Sequence, residues 1–370
     1  MTWMEFHAAS ERSAMEAEEA FRRGNAAGAK LLYETAAESE QKALAAVDSA
    51  KTRTRAITAI SAVALWYKAA AFERAEQLAY SMLADLSLPG FARADLKNLI
   101  QAIWTETSKR AASVNFLPGQ VFVSVKGGEV ITGGAPLDLI VEKVQTIQAM
   151  FYRTIEFIKD MPLRPRGAPT RDVQESCRPW LFQAAPGSYQ FSVAIQEPLQ
   201  RDFFKEDMRP DMVARQFLQI LQAAASQDQT QLETVVPKPD YRNVFLKLSR
   251  NLAPTGKSFG SIEFQTPTGE GAIALTPEAR TTMNQTLKRN RPVDDSDSPG
   301  TDEEFIGVLR AVDLDKDYLD VAVADQHLHV EGLGDAMDDV IGPMVNKKVR
   351  VHVIRKASGP LRFRDIEPDE

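Results

Sequence analysis

Four groups of residues in this 370-residue chain have types and spacings that could do chemistry. The first is Asn-Leu-Ala-Pro-Thr-Gly-Lys-Ser, residues 251–258, which ends like a phosphate-binding loop. Such a loop needs glycine at its first position, a strand before it and a helix after it. The helix N-terminus then aims free N–H groups at the phosphates. Here Asn251 holds the glycine position and Pro254 removes a loop N–H. The order is also reversed: a helical run, DYRNVFLKLSRNL, enters and a strand-like run, SFGSIEF, leaves. The stretch reads as a helix stopped by proline and glycine so that a strand can begin, with Lys257 in solvent. No nucleotide or other cofactor is expected.

The second candidate is Cys177, the one cysteine. A catalytic thiol needs a neighbouring base, and the four histidines, His7, His327, His329 and His352, lie in other segments. A packed, inert thiol is expected. The third is Asp313, Asp315 and Asp317, which open like a calcium loop. Tyr318 stands where that loop needs glycine and Ala324 where it needs glutamate, so an acidic hairpin turn is expected. The fourth is His327 and His329, which alternation puts on one face of a strand, with His352 as a conceivable third ligand. No carboxylate partner is indicated, and no metal is expected.

No catalytic residue can be nominated: G-x-S-x-G, H-E-x-x-H and kinase-like sets are absent, and 51 acidic residues offer no distinguishing spacing. If the middle of the chain holds a pocket, or a nucleic-acid contact, Arg164, Arg166 and Trp180 are the candidates. The two arginines lie in a proline-punctuated basic loop, MPLRPRGAPTR.

The elements that must position these groups follow from composition and period. The chain is 44% hydrophobic and 26% charged, as globular domains are, and its length suggests two or three domains. No apolar run would span a bilayer, no secretory leader is visible, and one cysteine excludes an internal disulfide. A cytoplasmic location is expected. Residues 1–112 carry 14 basic and 14 acidic side chains, whereas residues 303–370 carry 9 and 15. No third has the basic excess that phosphate-backbone binding needs, so nucleic acid is disfavoured as a partner.

Residues 9–112 show helical apolar spacing, with breaks at Gly24-Asn25, near Ala71 and at LSLPGF, and are expected to form five helices. Two helices can be overlaid: Ala29, Tyr33 and Ala36 in one occupy the offsets of Ala75, Ala79 and Met82 in the other. This matching of offsets, small–large–small in the first helix and small–small–large in the second, with Pro89 after the second hairpin, resembles bacterial tetratricopeptide repeats. The period of 46 residues departs from the standard 34. The resemblance implies a concave surface for a protein partner, with Trp66, Tyr67 and Tyr80 as groove aromatics; the competing reading packs Trp66 between helices.

Residues 113–286 read as a central mixed α+β domain. VFVSVKGGEVITG is expected to form a β-hairpin turning at Gly127-Gly128, WLFQAAPGSYQFSVAIQEP a second strand pair, and SFGSIEFQ with GAIALT a third. Helices are expected near 137–160, 209–226, 239–252 and 277–289. Residues 287–302, LKRNRPVDDSDSPGTD, read as a flexible linker. Residues 303–370 are expected to form a small OB-like barrel of order β-β-β-α-β-β, with an SH3-type barrel as competitor. The fold class is thus multidomain α+β.

With repeats, a linker and no catalytic set, the expected function is a non-enzymatic adaptor or regulatory protein. One alternative is an enzyme of unfamiliar type in the central domain. Another is single-stranded nucleic-acid binding by the basic loop and barrel. A place in a defence or toxin–antitoxin system is compatible, though no residue argues for it.

Overall fold

The computed structural model describes residues 2–112, 115–131, 133–164, 166–182, 189–198, 211–267, 272–290, 300–324, 326–334, 338–356 and 359–369. It is a mixed α+β structure, with twelve α-helices and two sheets among these residues. Contacts divide the chain into two compact units. One comprises residues 1–115 with 181–192 and 266–270; the other holds 116–180, 193–265 and 271–370.

The first unit contains α1 (Trp3–Arg22), α2 (Ala26–Ala46), α3 (Thr52–Lys68), α4 (Phe72–Leu83) and α5 (Gly90–Ala111). Each starts or stops for a local reason. Thr2 and Glu5 form a capping box at the start of α1, satisfying two backbone donors reciprocally. Gly24, at φ +80°, and the cap Asn25 make the α1–α2 turn. Arg93 braces the α4–α5 loop by donating to Leu83 O at 3.0 Å and to the Asp85 carbonyl. Successive helices pack together, and α3 also touches α5. Ala29, Tyr33, Ala36, Ala75, Ala79 and Met82 are all buried, the alanines letting the helix axes approach. A further polar tie lies at the start of α1. His7 Nδ1 meets the buried Glu40 carboxylate at 3.0 Å, and Trp3 stacks on His7 while donating to Thr58.

The second unit begins with β1 (Val121–Lys126), α6 (Leu137–Ile158) and α7 (Arg171–Ser176). There follow β2 (Pro179–Phe182), β3 (Tyr189–Ile195), α8 (Met212–Ala225), α9 (Gln229–Val235), α10 (Pro239–Leu252), β4 (Ser261–Gln265), β5 (Ile273–Leu275) and α11 (Pro277–Arg289). The strands run in the order β2-β3-β1-β4-β5, and the division between units passes through β2 and β3. Aromatic rings fill the core: Phe151 stacks on Phe217 at 4.1 Å, and Phe217 meets Phe264 edge-on at 5.8 Å.

The expected hairpin at 121–133 does not form. Only β1 is a strand there, and it pairs antiparallel with β4, some 140 residues on, from Phe122↔Gln265 to Lys126↔Ser261. Gly127 and Gly128 both take positive φ, but they turn the chain against residues 258–260. A Cβ on Gly128 would sit 2.3 Å from Ser258 O, so only glycine permits that approach. The chain then tightens into an isolated bridge, Ile131↔Gly134, before α6. The helices α7 and α9, seven residues or fewer, were invisible to periodicity. The turn of the 180–195 pair and most of the expected linker, 291–299, lie outside the described residues; 287–289 belong to α11.

The second sheet is a closed five-stranded barrel. It contains β6 (Thr301–Asp313), β7 (Tyr318–Val323), β8 (Gln326–Glu331), β9 (Lys348–Arg355) and β10 (Leu361–Pro368), with α12 (Asp338–Ile341) between β8 and β9. Its order is β10-β8-β7-β6-β9. All described pairings are antiparallel except β8 with β10, which are parallel. Gly307 lets β6 curl where a Cβ would lie 2.4 Å from Ala322 O. The barrel belongs to the same compact unit as the central helices. No helix among the described residues is long and apolar enough to cross a membrane.

Candidate functional site

In the helical unit, α2, α3 and α4 enclose an open cleft of about 780 Å³. Its walls include Gln41 and Lys42 from α2 and Arg74, Gln77 and Leu78 from α4, with Trp66 of α3 between them. Trp66 is 2% exposed, so nearly all of its ring is core. Its Nε1 donates to Gln41 Oε1 at 3.0 Å, and the Arg74 guanidinium lies 4.8 Å from the ring centre. The cleft is therefore mixed: an aromatic edge under amides, cations and the Glu38 carboxylate, which lies 3.7 Å from Arg74. Tyr67 stacks on Phe72 at 5.7 Å and Tyr80 is 45% exposed, but neither lines the cleft. Of the three aromatics marked by the sequence, the structure places one there. Gln41, Arg74 and Gln77 carried no signal beyond lying on helices.

The central candidates also separate. Trp180 donates from Nε1 to Gln196 at 3.1 Å and meets Phe116 edge-on. Arg164 and Arg166 stand elsewhere, and carboxylates hold both. Arg164 Nε meets Glu156 at 3.0 Å, its Nη2 lies 3.6 Å from Asp339, and Arg166 pairs with Asp315 at 3.0 Å. Asp338 accepts the Gly167 N–H, fastening the loop. An adjacent open cleft of about 440 Å³, lined by Gln145, Gln148, Tyr152 and Arg164, brings no nucleophile and base together.

These pairs belong to a longer seam between the barrel and the helices beside it. Arg153 of α6, with no solvent exposure, makes a bidentate pair with Asp339 of α12: Nε to Oδ2 at 2.7 Å and Nη2 to Oδ1 at 3.0 Å. Arg250 of α10, equally buried, donates to Asp365 and to Ile366 O at 2.6 Å. Arg280 of α11 donates to Glu367 at 2.7 Å and to three carbonyls, Arg250 O, Ala253 O and Pro368 O. Lys257 lies 3.6 Å from Asp369, which also meets Lys348 and Arg350. Asp365 and Glu367 alternate on β10, so strand geometry turns both to one side, and Asp369 follows just beyond the strand. Burial alone would raise the Glu367 carboxyl. The nearby His352 and the charges of Arg250 and Arg280 outweigh it and hold it well below the usual carboxylate range. Asp369 is also lowered, since Lys348 and Arg350 overcome its burial. One pair runs the other way, Glu142 of α6 with Lys347 at 3.0 Å. A cavity of about 120 Å³ remains in the seam, lined by Glu142, Asn251, Asp339, Lys348 and Asp369 among others.

The remaining motifs resolve into structure. Residues 251–258 close α10 and lead towards β4, and the loop's Ser258 O accepts the Glu129 N–H at 2.9 Å. Lys257 is 60% exposed, with Asp369 as its neighbour rather than solvent alone. Cys177 is buried, and burial pushes its thiol up to about 12. Asp313 accepts the N–H groups of Asp315 and Lys316, making the acidic turn between β6 and β7. His329 meets Asp320 at 2.7 Å and lies against Tyr318, while His352 sits between Glu304 and Glu367. No group of three or more His, Cys, Asp or Glu among the described residues could hold a metal ion. The chain matches no protein-family model, no curated protein and no solved structure.

Proposed function

We propose that the chain is a non-enzymatic cytoplasmic adaptor or regulatory protein whose helical unit, a tetratricopeptide-like array, binds a partner protein. The observation that carries this reading is the α2–α3–α4 cleft, where Trp66 sits under Gln41, Lys42, Arg74 and Gln77. Amides beside a rigid aromatic edge suit the main chain of an extended peptide, and Lys42 suits an acidic side chain on it. The buried Ala–Tyr–Ala and Ala–Ala–Met positions at matching offsets support the repeat relationship. The cytoplasmic assignment rests on a single cysteine, which leaves no internal disulfide.

The barrel is of the OB type in this reading. What supports it is the order β6-β7-β8-β10-β9, with β8 and β10 parallel and α12 between β8 and β9. Its β7–β8 face carries Tyr318, Asp320, His329 and Glu331, an acidic rather than basic surface, so that face is assigned to protein contact.

The test is affinity purification of the intact tagged chain and of K42E/Q77A from the native cell, with mass spectrometry. A partner recovered with the parent and lost with the variant, at unchanged circular dichroism, is expected. Identical recovery by both proteins counts against the cleft.

A further inference from the structure

The seam is polarised in a way that stability alone does not explain. Arg153, Arg164, Arg166, Arg250, Lys257 and Arg280 come from three helices and two loops. Each meets a carboxylate of the barrel segment: Asp339, Asp338, Asp315, Asp365, Asp369 or Glu367. On the helical side only Glu142 and Glu156 carry opposing charge among these pairs. A buried ion pair is costly to desolvate, and an apolar seam of the same shape would hold at least as firmly. Permanent interfaces are accordingly apolar, whereas those that come apart are polar and leave two soluble surfaces. A cavity of about 120 Å³, lined by polar and apolar side chains together, opens beside these pairs. Six carboxylates of the barrel segment are turned to this face, while others, such as Glu303 and Asp320, pair within the barrel.

We propose that the barrel's carboxylates cover a cationic face which also binds a chain of phosphates, so that the barrel and the phosphate chain exclude each other. Six cations against two carboxylates form the electrostatic footprint that a phosphate chain requires. The contact is intramolecular, so the barrel competes at high effective concentration; the resting chain keeps Arg153, Arg250 and Arg280 buried and leaves Arg166 and Lys257 partly exposed. This goes beyond the adaptor reading and does not depend on the helical cleft.

The experiment uses the full chain and two probes, a fluorescent 30-nucleotide oligothymidylate and inorganic polyphosphate of similar charge, at about 50 mM salt. In D365N/E367Q the barrel loses two of its anchors. Binding at least tenfold tighter than that of the parent chain is expected, with a steep fall as salt rises. Adding R164Q/R166Q should reverse that gain. Binding of both probes assigns the phosphate chain itself; binding of oligothymidylate alone assigns nucleic acid. Equal binding by parent and variant, or none by the variant, overturns the proposal. Hydrogen exchange of the parent chain covers the case in which the variant does not fold. Saturating polyphosphate should speed exchange of β9 and β10 amides, and unchanged exchange overturns the proposal as well.

Discussion

Replacing Glu367 by Gln tests the electrostatics of the seam most directly. The side chain is 7% exposed and faces Arg280 at 2.7 Å, Asn284 at 3.3 Å and His352 at 3.7 Å. Gln keeps the shape and one acceptor but removes the charge. Removing one partner of a buried pair costs about 3–5 kcal/mol. Arg280 keeps three carbonyl acceptors, so the lower end, about 3 kcal/mol at pH 7, is expected. The pH dependence supplies the sharper signature. The folded carboxyl is held below its unfolded value, so its stabilisation is fully present above the unfolded value of about 4.3. It is then lost as pH falls towards the folded value, by about 1.4 kcal/mol per pH unit. Urea unfolding of both proteins at intervals from pH 7 to pH 3 measures this. The gap between them should be flat down to about pH 4.5 and then narrow. A gap that stays constant to pH 3, or one under about 0.5 kcal/mol at pH 7, refutes the assignment of this pair as a buried charge contact.

Trp66→Ala should destabilise the helical unit by about 3–5 kcal/mol in chemical unfolding, whereas K42A should stay within about 0.5 kcal/mol. Cys177 should resist Ellman's reagent at pH 8 in the native protein and react once unfolded; fast native reaction contradicts its burial. Gly307→Ala should cost the barrel about 2 kcal/mol or more, read as a lower melting temperature, because the Ala322 carbonyl occupies the place of the new methyl. Lys257→Ala should leave the chain no less able to bind ATP than before, with equilibrium dialysis showing no binding by either protein.

Period and punctuation made much of the fold legible. The breaks at Gly24-Asn25, Ala71 and Pro89 are where α2, α4 and α5 begin, and Pro277–Arg289 coincides with a helix read from residues 277–289. The hairpin at Gly127-Gly128 misled because a Gly-Gly turn encodes a change of direction, not a partner. The partner, β4, is chosen by core packing far along the chain. The candidate cleft was legible only through Trp66, since Gln41 and Gln77 look like any solvated helix face. The seam was half legible. The acidic excess of residues 303–370 was in view, but the arginines opposite are scattered from Arg153 to Arg280. Only tertiary structure gathers them.

The separation of those partners sets an order of events in the living cell. Arg250 and Asp365 are 115 positions apart. At roughly 5–20 residues per second, a ribosome takes on the order of ten seconds to supply the acid after the base. Through that interval the Arg250 guanidinium has no carboxylate, only the side-chain amides of Asn251 and, later, Asn284. Closure of the barrel and burial of Arg250 are therefore one late event, completed by the same strand. A message cut short upstream of β10 would yield helices whose Arg250 and Arg280 face water instead of Asp365 and Glu367.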